Sequence, residues 1–285
     1  MNQIFKRKPT LEGAGVHLNR IFGYNEVPQF DPFLLFDHFG SNNPDDYIKG
    51  FPWHPHRGIE TVTYMLSGQV EHADSIGNKG VISSGDIQWM TAGGGIIHQE
   101  MPMKYDGLMQ GFQLWVNLPA NQKMMKPRYQ DITKQDIPVI KESGKEIKII
   151  AGLYNDIQGP VSDLIVDVIY YDIILENNSK FNYQTKANYT TLAYLINGSG
   201  IFNNIKVETH NCILFNKGHN VDVKSLNKLR FLLISGKPLY ESVAWGGPIV
   251  MNTQKELQKA FKDLDDGTFI RQTKPIHPSK NYYKR

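Results

Sequence analysis

Nine histidines occur in the chain, and five of them fall between His38 and His98. His54 and His56 are separated by one proline, and a second pair of donors, His98 and Glu100, repeats the same i, i+2 spacing. On an extended strand, residues i and i+2 point to the same side, roughly 6.5–7 Å apart. Each pair can therefore aim both of its side chains at one spot. If the two strands are neighbours, facing side chains lie about 4.5–5.5 Å apart, and four donors can meet. Three imidazoles and a carboxylate suit Fe, Mn, Ni, Cu or Zn, and ligand softness does not choose among them. Such a set keeps coordination positions open, which favours a redox or Lewis-acid metal over a closed structural zinc. A lone histidine reads as a surface or satisfied core residue; two matched pairs do not. Glu60, four residues after His56, keeps the same strand face. It competes with Glu100 for the carboxylate place, and spacing alone leaves both open.

The neighbouring residues have plainer readings. Arg57 is expected to pair with Asp37 or Glu60 and brace the ligand strand. Gly93, Gly94 and Gly95 let the backbone turn tightly; no helix with a lysine follows, so they are not a phosphate loop. Met90, Met101, Met103 and Met109 read as core or pocket lining. His38 and His72 read as surface histidines, and Cys212 as a small buried hydrophobe.

The elements that must position these residues read as strands. Stretches such as IETVTYMLSG, GFQLWVNLP, LIVDVIYYDIIL and RFLLISGKP are strand-length, rich in Val, Ile, Thr, Tyr and Phe, and punctuated by Gly, Asn and Asp. That is the pattern of an all-β sandwich or barrel. TVTYMLSGQV (61–70) resembles TLAYLINGSG (191–200), aligning Gly68 with Gly198, and Gly85 matches Gly218 at a similar offset. Two repeats of about 130 residues predict two barrels of one fold in tandem. We place the domains at 1–138 and 139–285, with the polar stretch 136–148 as a linker. One helix is expected near the end. Thr253 and Glu256 form a capping-box pattern, Leu257, Ala260, Phe261 and Leu264 make one apolar face, and Gly267 is placed to stop it. If Gly198 aligns with Gly68, the places of His54 and His56 fall on Gln184 and Lys186. His210, His219 and His277 are not paired at i, i+2, so the second barrel is expected to lack metal.

Composition narrows the function classes. The 285 residues carry a net charge of +3. The last 19 residues, Gly267 to Arg285, hold five Lys/Arg and no Asp/Glu, which leaves the rest at −2. This basic end reads as a solvated tail, and no nucleic-acid partner is expected. No apolar run reaches the ~18 residues of a membrane span, and the N-terminus lacks a signal-peptide core, so no membrane association is expected. A single cysteine fits a reducing cytoplasm.

The motifs HPHRGIETVTYMLSGQVEHADS (54–75), GDIQWMTAGGGIIHQEMP (85–102), DPFLLFDHF (31–39) and GPIVMNT (247–253) resemble those of the pirins, a family of two-cupin proteins. The resemblance runs colinearly from near residue 12 to about 265 and is weaker in the second half. It implies tandem cupin barrels of the double-stranded β-helix type, with His54, His56, His98 and Glu100 as ligands of one divalent metal in the first. Fe2+ is the expected ion, with Mn, Ni, Cu, Co or Zn as alternatives. It also implies that Glu60 is a supporting residue and that the second barrel is metal-free. Some pirins cleave flavonols such as quercetin with O2, releasing carbon monoxide. The resemblance therefore implies a quercetin 2,3-dioxygenase-like enzyme with a small aromatic substrate and O2 as co-substrate; site chemistry makes Glu100 the catalytic proton acceptor, and a monomer is expected. The alternative is the role of eukaryotic pirins: an iron-dependent co-regulator that binds a partner protein without turnover. A zinc-type isomerase or hydrolase is disfavoured, because no cluster of Arg and Lys lies near the ligands.

Overall fold

Along the strand Ile96–Pro102, buried and half-buried residues alternate one by one. That period of two is what a sheet with one covered face requires. The same logic organises most of the chain. The computed structural model describes residues 2–218 and 220–271. His219, His277 and most of the basic end lie outside the described residues.

The first barrel pairs two antiparallel sheets. Its seven-stranded sheet runs in the order Arg128–Ile132, Ile87–Thr91, Ile59–Ser67, Met109–Asn117, Phe33–Ser41, Val16–Phe22, Lys8–Glu12. Its four-stranded sheet has the order Phe51–His56, Ile96–Pro102, Val70–Asp74, Lys79–Ile82. Leu18, Phe39, Met65 and Met109 from the larger sheet meet Val70 and Ile82 from the smaller one in a shared core.

The second barrel repeats the plan. A seven-stranded sheet runs Gln3–Lys6, Asn211–Leu214, Thr190–Asn197, Leu229–Gly236, Val168–Leu175, Lys145–Ala151, Val139–Glu142. A four-stranded sheet runs Lys180–Tyr183, Val221–Ser225, Ser199–Phe202, Ile205–Glu208. Ile173, Leu195 and Phe231 pack with Phe181, Phe202 and Val223 inside it. The internal repeat seen in sequence is a repeat of turns. Gly68 ends the strand Ile59–Ser67 at φ +91°, and Gly198 ends Thr190–Asn197 at φ +80°. Both sit in left-handed backbone that favours glycine.

The domain division is more interleaved than one cut at 138/139. One compact unit comprises Pro9–Tyr24, Phe33–Lys134 and the chain from Tyr240; the other comprises the chain up to Lys8, Asn25–Pro32 and Gln135–Leu239. The polar stretch expected as a linker is instead a hairpin, Val139–Glu142 paired with Lys145–Ala151. Its outer strand is mostly exposed because it forms the edge of a sheet, where polar residues are the usual protection against further pairing.

The helix Gln254–Asp265 carries the expected capping box between Thr253 and Glu256. It belongs to the unit of the first barrel. Leu257 and Ala260 are buried as expected, but Phe261 is 41% exposed and the third buried position is Asp263. A short ribbon, Ala244–Gly246 with Ile249–Met251, leads into this helix. Ala244, Ile249, Met251, Leu257, Ala260 and Phe269 form one apolar cluster, against which Ile97 of the Ile96–Pro102 strand also packs. Among the described residues, no helix is long and apolar enough to cross a membrane.

Candidate metal centre

The strands Phe51–His56 and Ile96–Pro102 are hydrogen-bonded neighbours, with His98 opposite His54 and Ile96 opposite His56. An irregularity between His98 and Glu100 brings Glu100 opposite Phe51. The two i, i+2 pairs therefore lie on adjacent strands. Ring centroids are 4.8 Å apart for His54 and His56, 4.4 Å for His54 and His98, and 5.0 Å for His56 and His98. One nitrogen from each of the three rings lies within 4.8 Å of the others, a spacing that can hold a metal ion.

The protonation pattern of the rings fits a cation. His54 Nδ1 donates to the Pro52 carbonyl at 2.9 Å, and His56 Nδ1 donates to the Pro248 carbonyl at 3.0 Å. A carbonyl only accepts, so each Nδ1 carries the proton and each Nε2 presents a lone pair. Those two Nε2 atoms lie 3.1 Å apart. Two lone pairs at that distance repel unless a cation or proton joins them. His98 is fully buried, and both of its ring nitrogens lack a hydrogen-bond partner in the protein. Burial pulls all three histidines below their ordinary range, His56 to about 3 with His54 adding to the effect. The rings are thus neutral at physiological pH, the state a metal requires.

Glu100 and Glu60 occupy different surroundings. Glu100 lines the same cavity as His54 and His56. Burial pushes its carboxyl up to about 7, with the Thr63 hydrogen bond opposing. Thr63 Oγ1 lies 3.1 Å from Glu100 Oε1 and 2.7 Å from Gln113 Oε1. The hydroxyl has one proton for two acceptors, and a protonated Glu100 would complete that chain. Glu60 is fully buried and accepts from Thr91 Oγ1 at 2.6 Å. It is not among the residues lining the cavity.

The cavity has a volume of about 720 Å³. Its lining includes His54, His56, Thr63, Glu100 and Gln113. Aromatic rings step outward along one wall: His56 to Trp115 is 5.1 Å, Trp115 to Trp245 is 5.8 Å, and Trp245 to the exposed Tyr24 is 5.6 Å. Leu18, Leu35, Phe39 and Met109 line the cavity as well. The cavity's one guanidinium, Arg20, is already occupied. It grips Asp37 through two bonds of 2.9 and 2.8 Å and pairs with Glu12 at 2.9 Å.

Several neighbours differ from their sequence readings. Asp37 pairs with Arg20, and Arg57 pairs with neither Asp37 nor Glu60. Its guanidinium, 2% exposed, binds Asp263 at 2.7 Å, 206 residues away. It also donates to the carbonyls of Gly94 and Phe269. His38 and His72 are buried, not superficial. His72 lies 5.3 Å, ring to ring, from His98 and shares a 3.2 Å hydrogen bond with the Tyr129 hydroxyl. Its register partner across the sheet is Glu100, a pairing visible only once the strands are aligned. Lys123, not singled out by sequence, is 1% exposed; its ammonium donates to the Gly58 and Val250 carbonyls and to Asn117 Oδ1.

Two β-barrels in one chain, the first carrying a three-histidine cluster of which two members line a cavity, define a metal-binding protein of the bicupin class. Comparison with known proteins narrows the class. The family profile described as Pirin matches residues 15–116, and that of the Pirin C-terminal cupin domain matches residues 170–270. The chain belongs to the pirin family. A pirin-like protein of Caulobacter vibrioides is 42% identical over 269 residues, covering 94% of this chain and 98% of that one. The crystal structure of a quercetin 2,3-dioxygenase from Acinetobacter baumannii superposes with a TM-score of 0.87 at 34% identity, covering 94% of this chain and 96% of that one. The bacterial pirin YhhW from Escherichia coli, solved in complex with nickel(II), shares the fold at a TM-score of 0.67 and 22% identity, over 84% of this chain and 99% of that one.

Proposed function

We propose that this protein is a dioxygenase that opens the heterocycle of quercetin-type flavonols with O2, releasing carbon monoxide, at a mononuclear Fe2+ centre held by His54, His56, His98 and Glu100. The observation that carries the reading is the placement of Glu100. It is a buried carboxyl with a proton to exchange, lining the same cavity as His54 and His56, two of the three converging imidazoles. When bound, the metal would supply Lewis acidity toward the adjacent hydroxyl and carbonyl oxygens of a flavonol, and a redox partner for O2. The remaining work falls to side chains. Glu100 takes the flavonol hydroxyl proton, a general-base role that needs a group within hydrogen-bond reach. Thr63, whose hydroxyl lies between Glu100 and Gln113, helps hold that carboxyl in place. Trp115 and Trp245 offer flat apolar surface to an aromatic ring, where such contacts contribute about 0.5–1.5 kcal/mol beyond burial.

The cavity also favours an uncharged substrate. Arg20 is neutralised by Asp37 and Glu12, so its guanidinium offers no open fork for a phosphate or carboxylate. A cavity of about 720 Å³ falls in the range that accommodates a ligand of flavonoid size.

The test is reconstitution of metal-free protein with Fe2+, Mn2+, Ni2+, Cu2+ or Co2+, followed by O2 uptake and carbon monoxide release with a flavonol panel. Stoichiometric O2 loss and carbon monoxide formation with at least one metal is the expected result. Absence of both with every metal would overturn the enzymatic reading in favour of a metal-dependent partner-binding protein.

A further inference from the structure

We propose that Asp263 is a positioning residue for the metal ligand His56, acting through Arg57 and the strap of chain that runs from Trp245 to Phe269. The inference rests on the metal centre alone and not on flavonol chemistry.

The strap is fastened to the ligand strand at successive residues. The Pro248 carbonyl accepts from His56 Nδ1 and so fixes which nitrogen faces the metal position. The next residue, Arg57, accepts from Val250 N–H at 3.0 Å through its own carbonyl. Lys123 then ties the Gly58 and Val250 carbonyls together. Gly58, at φ +80°, is the residue this approach demands: a Cβ there would lie 2.0 Å from the Val250 oxygen. The far end of the strap is held by the Arg57 side chain. Asp263 takes one arm of the guanidinium, the Phe269 carbonyl takes another, and the Phe269 ring lies 4.1 Å beneath it. The same Arg57 donates Nε–H to Gly94, in the turn that leads to His98.

One buried ion pair therefore connects the two ligand-bearing segments to the strap that orients a ligand. A metal-ligating histidine held through its other ring nitrogen is the usual device for setting ring orientation, and loss of such support costs about 10–100-fold in metal affinity. Pro248 supplies that support here, and its carbonyl has no side chain to hold it. Its place depends on the fastening of the strap, and Asp263 is the charged anchor of that fastening.

The experiment measures Fe2+ and Co2+ affinity by chelator competition, and the visible spectrum of the Co2+ form, in full-length D263N, D263E, G58A and wild type. F231L, in the core of the second barrel, serves as a control for general loss of stability. We expect D263N and G58A to lose about 10–100-fold in affinity and to show an altered Co2+ spectrum. D263E should recover part of both, and F231L should leave both unchanged. Wild-type affinity and spectrum in folded D263N would overturn the proposal. So would an equal loss in F231L. If D263N does not fold, wild-type values in both D263E and G58A would overturn it equally.

Discussion

His56 Nδ1 lies 3.0 Å from the carbonyl oxygen of Pro248, 192 residues later in the chain. This contact joins the first motif of the barrel to a segment made after the whole second barrel. It turns the His56 lone pair toward Nε2 of His54, 3.1 Å away.

Replacing His54, His56 or His98 by Ala should each lower metal affinity by more than roughly 100-fold, the upper end for supporting groups alone. Glu60→Gln should stay near wild type, because Glu60 faces Thr91 and does not line the cavity. Metal content after dialysis, measured by plasma mass spectrometry, checks this. An empty site in Glu60→Gln with a full one in Glu100→Gln would reverse the carboxylate assignment.

Metal binding should weaken as pH falls below about 7. Burial pushes Glu100 up to about 7, whereas His56 is pulled down to about 3. Near pH 6 the metal-free protein therefore has a neutral His56 and a protonated Glu100. An incoming metal must displace that one proton, so affinity should fall by roughly tenfold per pH unit between about pH 7 and pH 5. Glu100→Gln should flatten this slope. Calorimetry in buffers of different ionisation enthalpy would count the released proton; the same slope in the variant would refute the assignment.

Arg57→Ala should destabilise the first barrel by about 1–3 kcal/mol, the usual cost of leaving buried acceptors unsatisfied, here the Gly94 and Phe269 carbonyls, while Lys259 still pairs with Asp263 at 3.0 Å. All four tryptophans, Trp53, Trp89, Trp115 and Trp245, belong to that unit, so tryptophan fluorescence during urea unfolding reports it selectively. A loss under about 1 kcal/mol, the surface-pair range, would show that the pair is not effectively buried.

Trp245→Leu should raise KM for a flavonol by roughly 3–10-fold, the equivalent of an aromatic contact, with kcat changed less. Initial rates over a range of flavonol concentrations decide this. An unchanged KM would remove Trp245 from the substrate wall.

The spacing of His54, His56, His98 and Glu100 was legible in sequence because strand periodicity is local: i and i+2 share a face wherever the strand goes. The capping box at Thr253 and the turn glycines Gly68 and Gly198 were legible for the same reason. What depends on distant pairing was not. The partner of Arg57 lies 206 residues away, beside and not within the apolar face of the helix read from Leu257, Ala260, Phe261 and Leu264. His72 looked superficial because its burial depends on Tyr129 and His98 arriving from other strands. The stretch 136–148 reads as a linker in sequence because an edge strand, here Val139–Glu142, is as polar as a loop.

Turnover by Glu100→Gln, set against its metal content, tests the catalytic role of Glu100 most directly. The amide can still offer an oxygen to the metal but cannot accept the flavonol proton. Loss of a general base costs about 10²–10⁴-fold in rate. Quercetin consumption by metal-saturated wild type and variant should be followed in air and under nitrogen, with bound metal quantified in the same samples. Oxygen-dependent turnover is expected in the wild type, with a loss of about 10²-fold or more in the metal-loaded variant. Wild-type turnover by metal-loaded Glu100→Gln would contradict that role.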